Sequence, residues 1–153
     1  MTPAELAVLR KQMGLKPAAD PTAPRVMNES LHQTHLFIWA GNHLVKYPEL
    51  RWLHSVPNGG LRDKGTAGKM KGEGQKQGVV DVFLDVPRGG YHGLRIELKV
   101  PELRDAANQK IQTKGVLSPE QKEWLDHYRT NGYCAKVAYG WIQAKEIIEE
   151  YLQ

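Results

Sequence analysis

The sequence predicts an α/β fold, a central mixed β-sheet flanked by helices, with the order α–β–β–β–α–β–α over residues 28–153. Three observations predict it. Residues 79–86 (VVDVFLDV), 91–100 (YHGLRIELKV) and 133–139 (YCAKVAY) are rich in branched apolar residues and have strand length. The first two are joined by Pro87-Arg88-Gly89-Gly90, a turn sequence. Segments with helical apolar spacing and capping residues lie before, between and after the strands.

The elements follow in order. Thr2-Pro3-Ala4-Glu5 opens a helix over 3–13: Thr2 caps, Pro3 suits the first turn, Glu5 completes a capping box, and Gly14 stops it. Residues 15–27 hold three prolines and three alanines and read as an extended linker, so 1–27 is an appendage to the domain 28–153. Asn28 caps a helix over 29–45, with Leu31, Thr34, His35 and Ile38 at helical spacing. Arg51–Val56 reads as a strand stopped by Pro57. Residues 58–78 hold seven glycines and almost no large apolar residue, which predicts no regular element. Residues 101–117 are polar, with Pro101 and Gly115 bracketing room for a helical insertion. Ser118-Pro119-Glu120-Gln121 opens a helix that Gly132 stops, with Trp124, Leu125 and Tyr128 as its apolar stripe. A last helix over 143–152 turns Ile147, Ile148, Tyr151 and Leu152 to the core.

Composition narrows the function classes. The chain has 153 residues, the length of one domain. Cys134 is the single cysteine, which excludes an internal disulfide framework and a cysteine-rich zinc site; a buried structural thiol is its default role. No run of 18 apolar residues exists, and the N-terminus lacks a secretory apolar segment, so a cytoplasmic protein without a membrane span is expected. The formal net charge of +4 is a mild pull toward an anionic partner. His32 and His35 share a helix without the acid pattern of a metal site. Trp39, Trp52, Trp124 and Trp141 read as core rather than as base-stacking residues.

The chemistry concentrates on two strands. Val80, Val82, Leu84 and Val86 alternate with Asp81, Phe83 and Asp85; Leu94, Ile96, Leu98 and Val100 alternate with Arg95, Glu97 and Lys99. With period two, the even residues face a core and Asp81, Glu97 and Lys99 share the opposite face. An antiparallel hairpin that sets 81 opposite 97 and Val86 opposite His92 leaves a five-residue connection, 87–91. Two carboxylates on neighbouring strands can hold a divalent cation, and Lys99 can stabilise a phosphorane-like transition state or orient a water. Such an acid followed by Glu-x-Lys is the minimum set for metal-assisted phosphodiester hydrolysis. It also occurs as a plain cross-strand ion-pair face.

The flanking residues add specificity. His54-Ser55-Val56-Pro57-Asn58-Gly59-Gly60, Gly78-Val79-Val80-Asp81, Ile96-Glu97-Leu98-Lys99 and Leu117-Ser118-Pro119-Glu120-Gln121 with Trp124 occur in order, followed by Gly132-Tyr133. In this the chain resembles the VRR-NUC domain (virus-type replication-repair nuclease), a branch of the PD-(D/E)xK nuclease superfamily, over about residues 28–152. The proline that precedes the aspartate in the superfamily is Val80 here, a position of backbone shape rather than chemistry.

The resemblance implies a restriction-endonuclease-like core and a Mg²⁺- or Mn²⁺-dependent endonuclease of the stand-alone type. It implies that Asp81, Glu97 and the Leu98 carbonyl bind the metal, that Lys99 is the catalytic lysine, that Glu29 lies near the metal, and that Gln121 lies close to the site. Plain roles stand beside the last two: Glu29 suits a helix N-terminus, and Gln121 is a capping-box partner for Ser118. The resemblance further implies a homodimer that cuts branched DNA in the manner of Holliday-junction resolvases, in DNA repair, with a viral or bacterial origin. Rival readings are a monomeric flap or single-strand nuclease and a catalytically silent DNA-binding module. The DNA-facing surface is expected in the glycine-rich segment: Asn58, Gly59 and Gly60 by backbone approach, and Arg62, Lys64, Lys69, Lys71 and Lys76 by charge, against only Asp63 and Glu73. His54 falls in the matched strand, either packed there or approaching substrate.

Overall fold

A computed structural model describes residues 2–14, 24–57 and 64–153. Its elements are α1 (Pro3–Gln12), α2 (Glu29–Asn42), a short 3₁₀ turn (Pro48–Trp52), β1 (Leu53–Ser55), α3 (Lys64–Gly72), β2 (Val82–Leu84), β3 (Leu94–Lys99), β4 (Leu103–Arg104), β5 (Lys110–Gln112), α4 (Pro119–Thr130), β6 (Cys134–Tyr139) and α5 (Trp141–Tyr151).

The main sheet has the order β1-β2-β3-β6. The first two pairings are antiparallel and β3–β6 is parallel, so the sheet is mixed as expected. Val82 lies opposite Ile96, Phe83 opposite Arg95 and Leu84 opposite Leu94. This is the register in which 81 falls opposite 97. An isolated bridge between Arg88 and Tyr91 closes the connection between the two strands.

One face of the sheet is covered by α2 and α5. Leu36, Trp39 and Ala40 of α2 and Ala144 and Ile148 of α5 bury Val82, Leu84, Leu94, Ile96 and Leu98. The other face is covered by α4, where Val80, Leu125, Tyr128 and Ala135 are buried together. Two expectations change here. The odd face of β3 is not open, because α4 lies over it, and all six residues of β3 are buried. Val80 belongs to the α4 side rather than to the even face, because regular pairing starts only at Val82.

The inward stripe of α2 is also displaced by one position. His32, Leu36, Trp39 and Ala40 are buried, while Leu31 and Ile38 are exposed at 42% and 55%. Both sets satisfy helical spacing, and packing against the sheet and α5 buries the set that holds Leu36, Trp39 and Ala40. His32 Nδ1 accepts a hydrogen bond from Trp141 N–H (3.2 Å), and the His35 ring stacks on Trp141, so these histidines join α2 to α5. Among the tryptophans, Trp39 is buried but Trp52 is 59% exposed, with the Arg51 guanidinium over its ring. Cys134 is buried.

Two segments form elements the composition did not announce. Residues 64–72, expected irregular, form α3. Gly74 takes a positive φ of 97° just beyond it. There Gly74 N–H donates to Lys71 O and Gln75 N–H to Met70 O, a Schellman closure that a glycine after a helix can signal. The 101–117 segment is not helical but carries the β4–β5 hairpin. Asp105 caps its turn by accepting from Gln109 N–H (2.8 Å), and Asn108 adopts a left-handed φ of 61°. The predicted strand 51–56 starts at Leu53, because Pro48–Trp52 first makes a 3₁₀ turn. No helix among the described residues is long and apolar enough to cross a membrane.

Candidate active site

The site lies where the β2–β3 pairing runs out. Asp81 sits at a bend just ahead of β2. Its carbonyl accepts from Val56 N–H (2.9 Å), which ties it to the end of β1. Its Oδ2 accepts from Leu98 N–H (2.7 Å), so the side chain takes the place of a ladder partner and is held against β3. Glu97 and Lys99 follow on the same strand.

Glu97 is 1% exposed. Its Oε1 accepts from Gln121 Nε2 (2.5 Å) and lies 3.2 Å from Lys99 Nζ. Its Oε2 is buried with no partner. Lys99 is 6% exposed and also lies 3.4 Å from Glu29 Oε1, in the first turn of α2. The structure therefore brings Asp81, Glu97, Lys99, Gln121 and Glu29 together.

Gln121 fills both of its readings at once. Its amide oxygen accepts from Ser118 N–H (2.8 Å) while Ser118 Oγ accepts from Gln121 N–H (3.2 Å), a complete capping box. That box fixes the amide, and the remaining Nε2 points at Glu97. Gly78 makes the approach feasible. It has φ +82°, and a Cβ there would lie 2.6 Å from Glu120 Cβ and 2.9 Å from Gln121 N. Trp124 Nε1 donates to Gln77 O (3.0 Å) beside it. The chain entering β2 is thus pinned to the N-terminus of α4. On the far side Gly115 lies on Lys99: a Cβ there would be 3.1 Å from Lys99 Cβ and Cδ. In the sequence Gly115 marked only the end of an insertion, and its packing role had no local signal.

Three carboxylates surround one ammonium group. Burial, then the neighbouring Asp81, pushes the Glu97 carboxyl up to about 8. Burial likewise raises Asp81, against the Leu98 hydrogen bond and Lys99. Burial opposes the charge on Lys99, but Glu97 and Glu29 outweigh it and its value is raised.

A buried carboxylate oxygen without a partner is costly unless a proton or a cation meets it. Glu97 Oε2 beside Asp81 therefore fits a divalent cation. Among the described residues, no three His, Cys, Asp or Glu side chains form a cluster that could hold a metal by themselves. Any ion here takes backbone oxygen and water as well, as Mg²⁺ commonly does.

The predicted DNA-contact residues divide. Asn58, Gly59, Gly60 and Arg62 lie outside the described residues. Lys64 opens α3. Lys69, Lys71 and Lys76 are exposed, with Lys69 3.9 Å from Glu73. His54 is exposed, with its ring against Phe83. An open cleft of about 540 Å³ flanks Glu29, with Asn28, Val100 and Gln112 in its wall.

A mixed sheet, paired acids and a lysine at the end of its hairpin, and a helix-borne glutamine define an α/β domain of nuclease type. A solved structure described as a VRR_NUC domain protein shares this fold with a TM-score of 0.66 and 30% sequence identity, over 84% of this chain and 91% of that one. No family model matches the sequence, and no curated protein does. The chain belongs to the VRR-NUC family of nuclease domains.

Proposed function

We propose that this chain is a Mg²⁺- or Mn²⁺-dependent endodeoxyribonuclease that acts as a homodimer on branched DNA. The observation that carries the metal-dependent reading is the unpartnered Glu97 Oε2, buried beside Asp81 and within one side chain of Lys99. Fully ionised, Asp81, Glu97 and Glu29 exceed Lys99 by two negative charges, which would repel a phosphodiester. A divalent cation removes that excess.

Asp81 and Glu97 would hold the ion, with the Leu98 carbonyl beside them, since a strand residue turns its N–H and C=O to the same edge and Leu98 N–H faces Asp81. When bound, the ion polarises the phosphate oxygens and makes a water more acidic. Gln121 and Lys99 keep Glu97 Oε1 occupied, so Oε2 is the oxygen left for the ion. Lys99, held charged by Glu97 and Glu29, stabilises negative charge that develops on the phosphate. Glu29 is half exposed and lines the cleft, where it can accept a proton from the attacking water. Exposed Lys69, Lys71 and Lys76, on a segment pinned to α4 through Gln77 and Gly78, supply phosphate contacts. A two-fold dimer would present two such sites to a four-way junction that has its own two-fold symmetry.

Cleavage of labelled four-way, flap, single-stranded and linear duplex DNA with Mg²⁺, Mn²⁺ or EDTA, alongside the solution mass, tests this. Junction cutting by a dimer that stops in EDTA is expected. A monomer that ignores junctions defeats the branched-DNA part, and DNA binding without metal-dependent cleavage defeats the enzyme.

A further inference from the structure

Tyr139 ends β6 directly opposite Lys99 in the parallel ladder, so the two side chains lie on the same face of the sheet. Gly140 N–H donates to Lys99 O (2.8 Å), and Gln143 Oε1 accepts from Tyr139 N–H (2.6 Å), which fixes that strand end. Lys114 Nζ sits 3.8 Å from the centre of the Tyr139 ring. The next residue, Gly115, donates its N–H to Val100 O (3.0 Å) and rests on the Lys99 side chain. Lys114 is therefore anchored one strand away from Lys99, on the same face, by backbone and ring alike.

The other cations of this segment share one carboxylate. Arg104 and Lys110 both pair with Glu102, at 2.9 and 3.0 Å. Lys114 is exposed and has no carboxylate partner among the described residues. A cation held over an aromatic face gives up little freedom when it meets an anion, and the ring cannot satisfy its three donors.

We propose that Lys114, seated over Tyr139, binds the phosphate that flanks the cut phosphodiester on the β6 side, and so positions the DNA strand across Asp81, Glu97 and Lys99. The proposal rests on the nuclease reading above and adds a positioning residue to it. The strand then runs from the basic α3 side, past the acids, to β6.

The test measures binding of the full chain, carrying Asp81→Asn to stop cleavage, to a labelled junction across a salt series. Adding Lys114→Ala or Lys114→Gln should weaken binding about fivefold and reduce the salt slope by about 0.7–0.9, the value of one phosphate contact. Tyr139→Leu should move both in the same direction by less. A scan of single neutral methylphosphonates near the cut should then find one position that weakens binding with Lys114 present and has no effect without it. An unchanged salt slope, or a methylphosphonate pattern that is the same with and without Lys114, overturns the proposal. Failure of the nuclease reading is seen separately, as a wild-type chain that binds this DNA and cleaves it with neither metal.

Discussion

Arg95 and Lys99 stand on the same face of β3, and both are buried, at 5% and 6% exposure. Their surroundings differ. The Arg95 guanidinium lies 4.1 Å from the centre of the Phe83 ring, 4.4 Å from Tyr133 and 5.3 Å from Tyr128. Its single acid, Asp85 at 2.8 Å, balances its charge. Among the described residues no aromatic ring lies over Lys99; Glu97 and Glu29 lie 3.2 and 3.4 Å from it, and the charge of Asp81 also acts on it. A planar, weakly hydrated cation suits an aromatic cage, whereas a compact ammonium suits a site where charge must be exchanged. Arg95 Nε is buried without a hydrogen-bond partner, but its charge is balanced and rings cover its plane, which makes it a packing element; Lys99, in a pocket with surplus acids, is poised for a ligand.

The sharpest way to break this comparison is to truncate both. Lys99→Ala should lower DNA cleavage by roughly 100–1000-fold, about 3–4 kcal/mol of transition-state stabilisation. Stability should change by less than about 1 kcal/mol near neutral pH, since Glu97, its carboxyl pushed up to about 8, already holds a proton there and is not left as an unpaired charge. Arg95→Ala should do the reverse. It empties a space among three rings, and about 3 kcal/mol of stability is lost, lowering Tm by about 6–12 °C. Cleavage per folded molecule should stay within about twofold of wild type, well below Tm. Thermal unfolding and initial rates on one DNA read both. A large rate loss in Arg95→Ala with unchanged Tm would erase the distinction.

The same contrast shows what could be read from the chain. Asp81, Glu97 and Lys99 were legible because period-two alternation and a short turn fix the register, and Val82–Ile96 pairing follows it. Gln121 was legible because a capping box has a four-residue signature. Arg95 was missed, because alternation makes a charged residue in a strand look solvent-facing, and only α4 packed over that face buries it. The β4–β5 hairpin was missed because its two short strands lack an apolar run and its turn depends on one left-handed residue, Asn108. The stripe of α2 was ambiguous because two sets of positions fit the helical period, and packing against the sheet and α5 decides between them. Lys114 over Tyr139, one strand away from Lys99, is a long-range relation that rests on the parallel β3–β6 pairing, and nothing local encodes it.

The burial of the acids around Lys99 makes stability depend on pH with a definite sign. Glu97, pushed up to about 8 from an ordinary 4.5, holds a proton in the folded chain that the unfolded chain would release, and burial raises Asp81 in the same direction. Without metal, stability should therefore be greatest at the acid end of the range from about 4.5 to 8 and fall as pH rises through it. Lys99, itself raised, stays charged throughout this window. Saturating Mg²⁺ competes with those protons, so the Tm gain on adding it should be small near pH 5 and largest near pH 8. At one hundred times Kd the gain corresponds to about 2.7 kcal/mol. Glu97→Gln should flatten the metal-free curve and remove most of the gain. Equal metal effects at both ends of the window, or a gain that survives Glu97→Gln, would count against a cation at Glu97 Oε2.

The smallest effect, and the finest cut, belongs to Gln121, whose two ends serve structure and site separately. Gln121→Ala removes both and should cost about 1 kcal/mol at the start of α4, with a loss of cleavage. Gln121→Glu keeps an acceptor for Ser118 N–H, so the capping box persists and the helix end should be nearly as stable as wild type. It also replaces the Nε2 donor with an oxygen facing Glu97 Oε1. Two carboxylates in contact favour one shared proton, which shifts Glu97 further upward. Cleavage by Gln121→Glu at pH 7 should fall by roughly tenfold, about 1.4 kcal/mol, and recover in part as pH rises toward 9, while Gln121→Ala shows no such recovery. If the two variants instead share one pH profile and differ only in Tm, Gln121 serves α4 alone, and the ordering of Glu97 must come from Lys99.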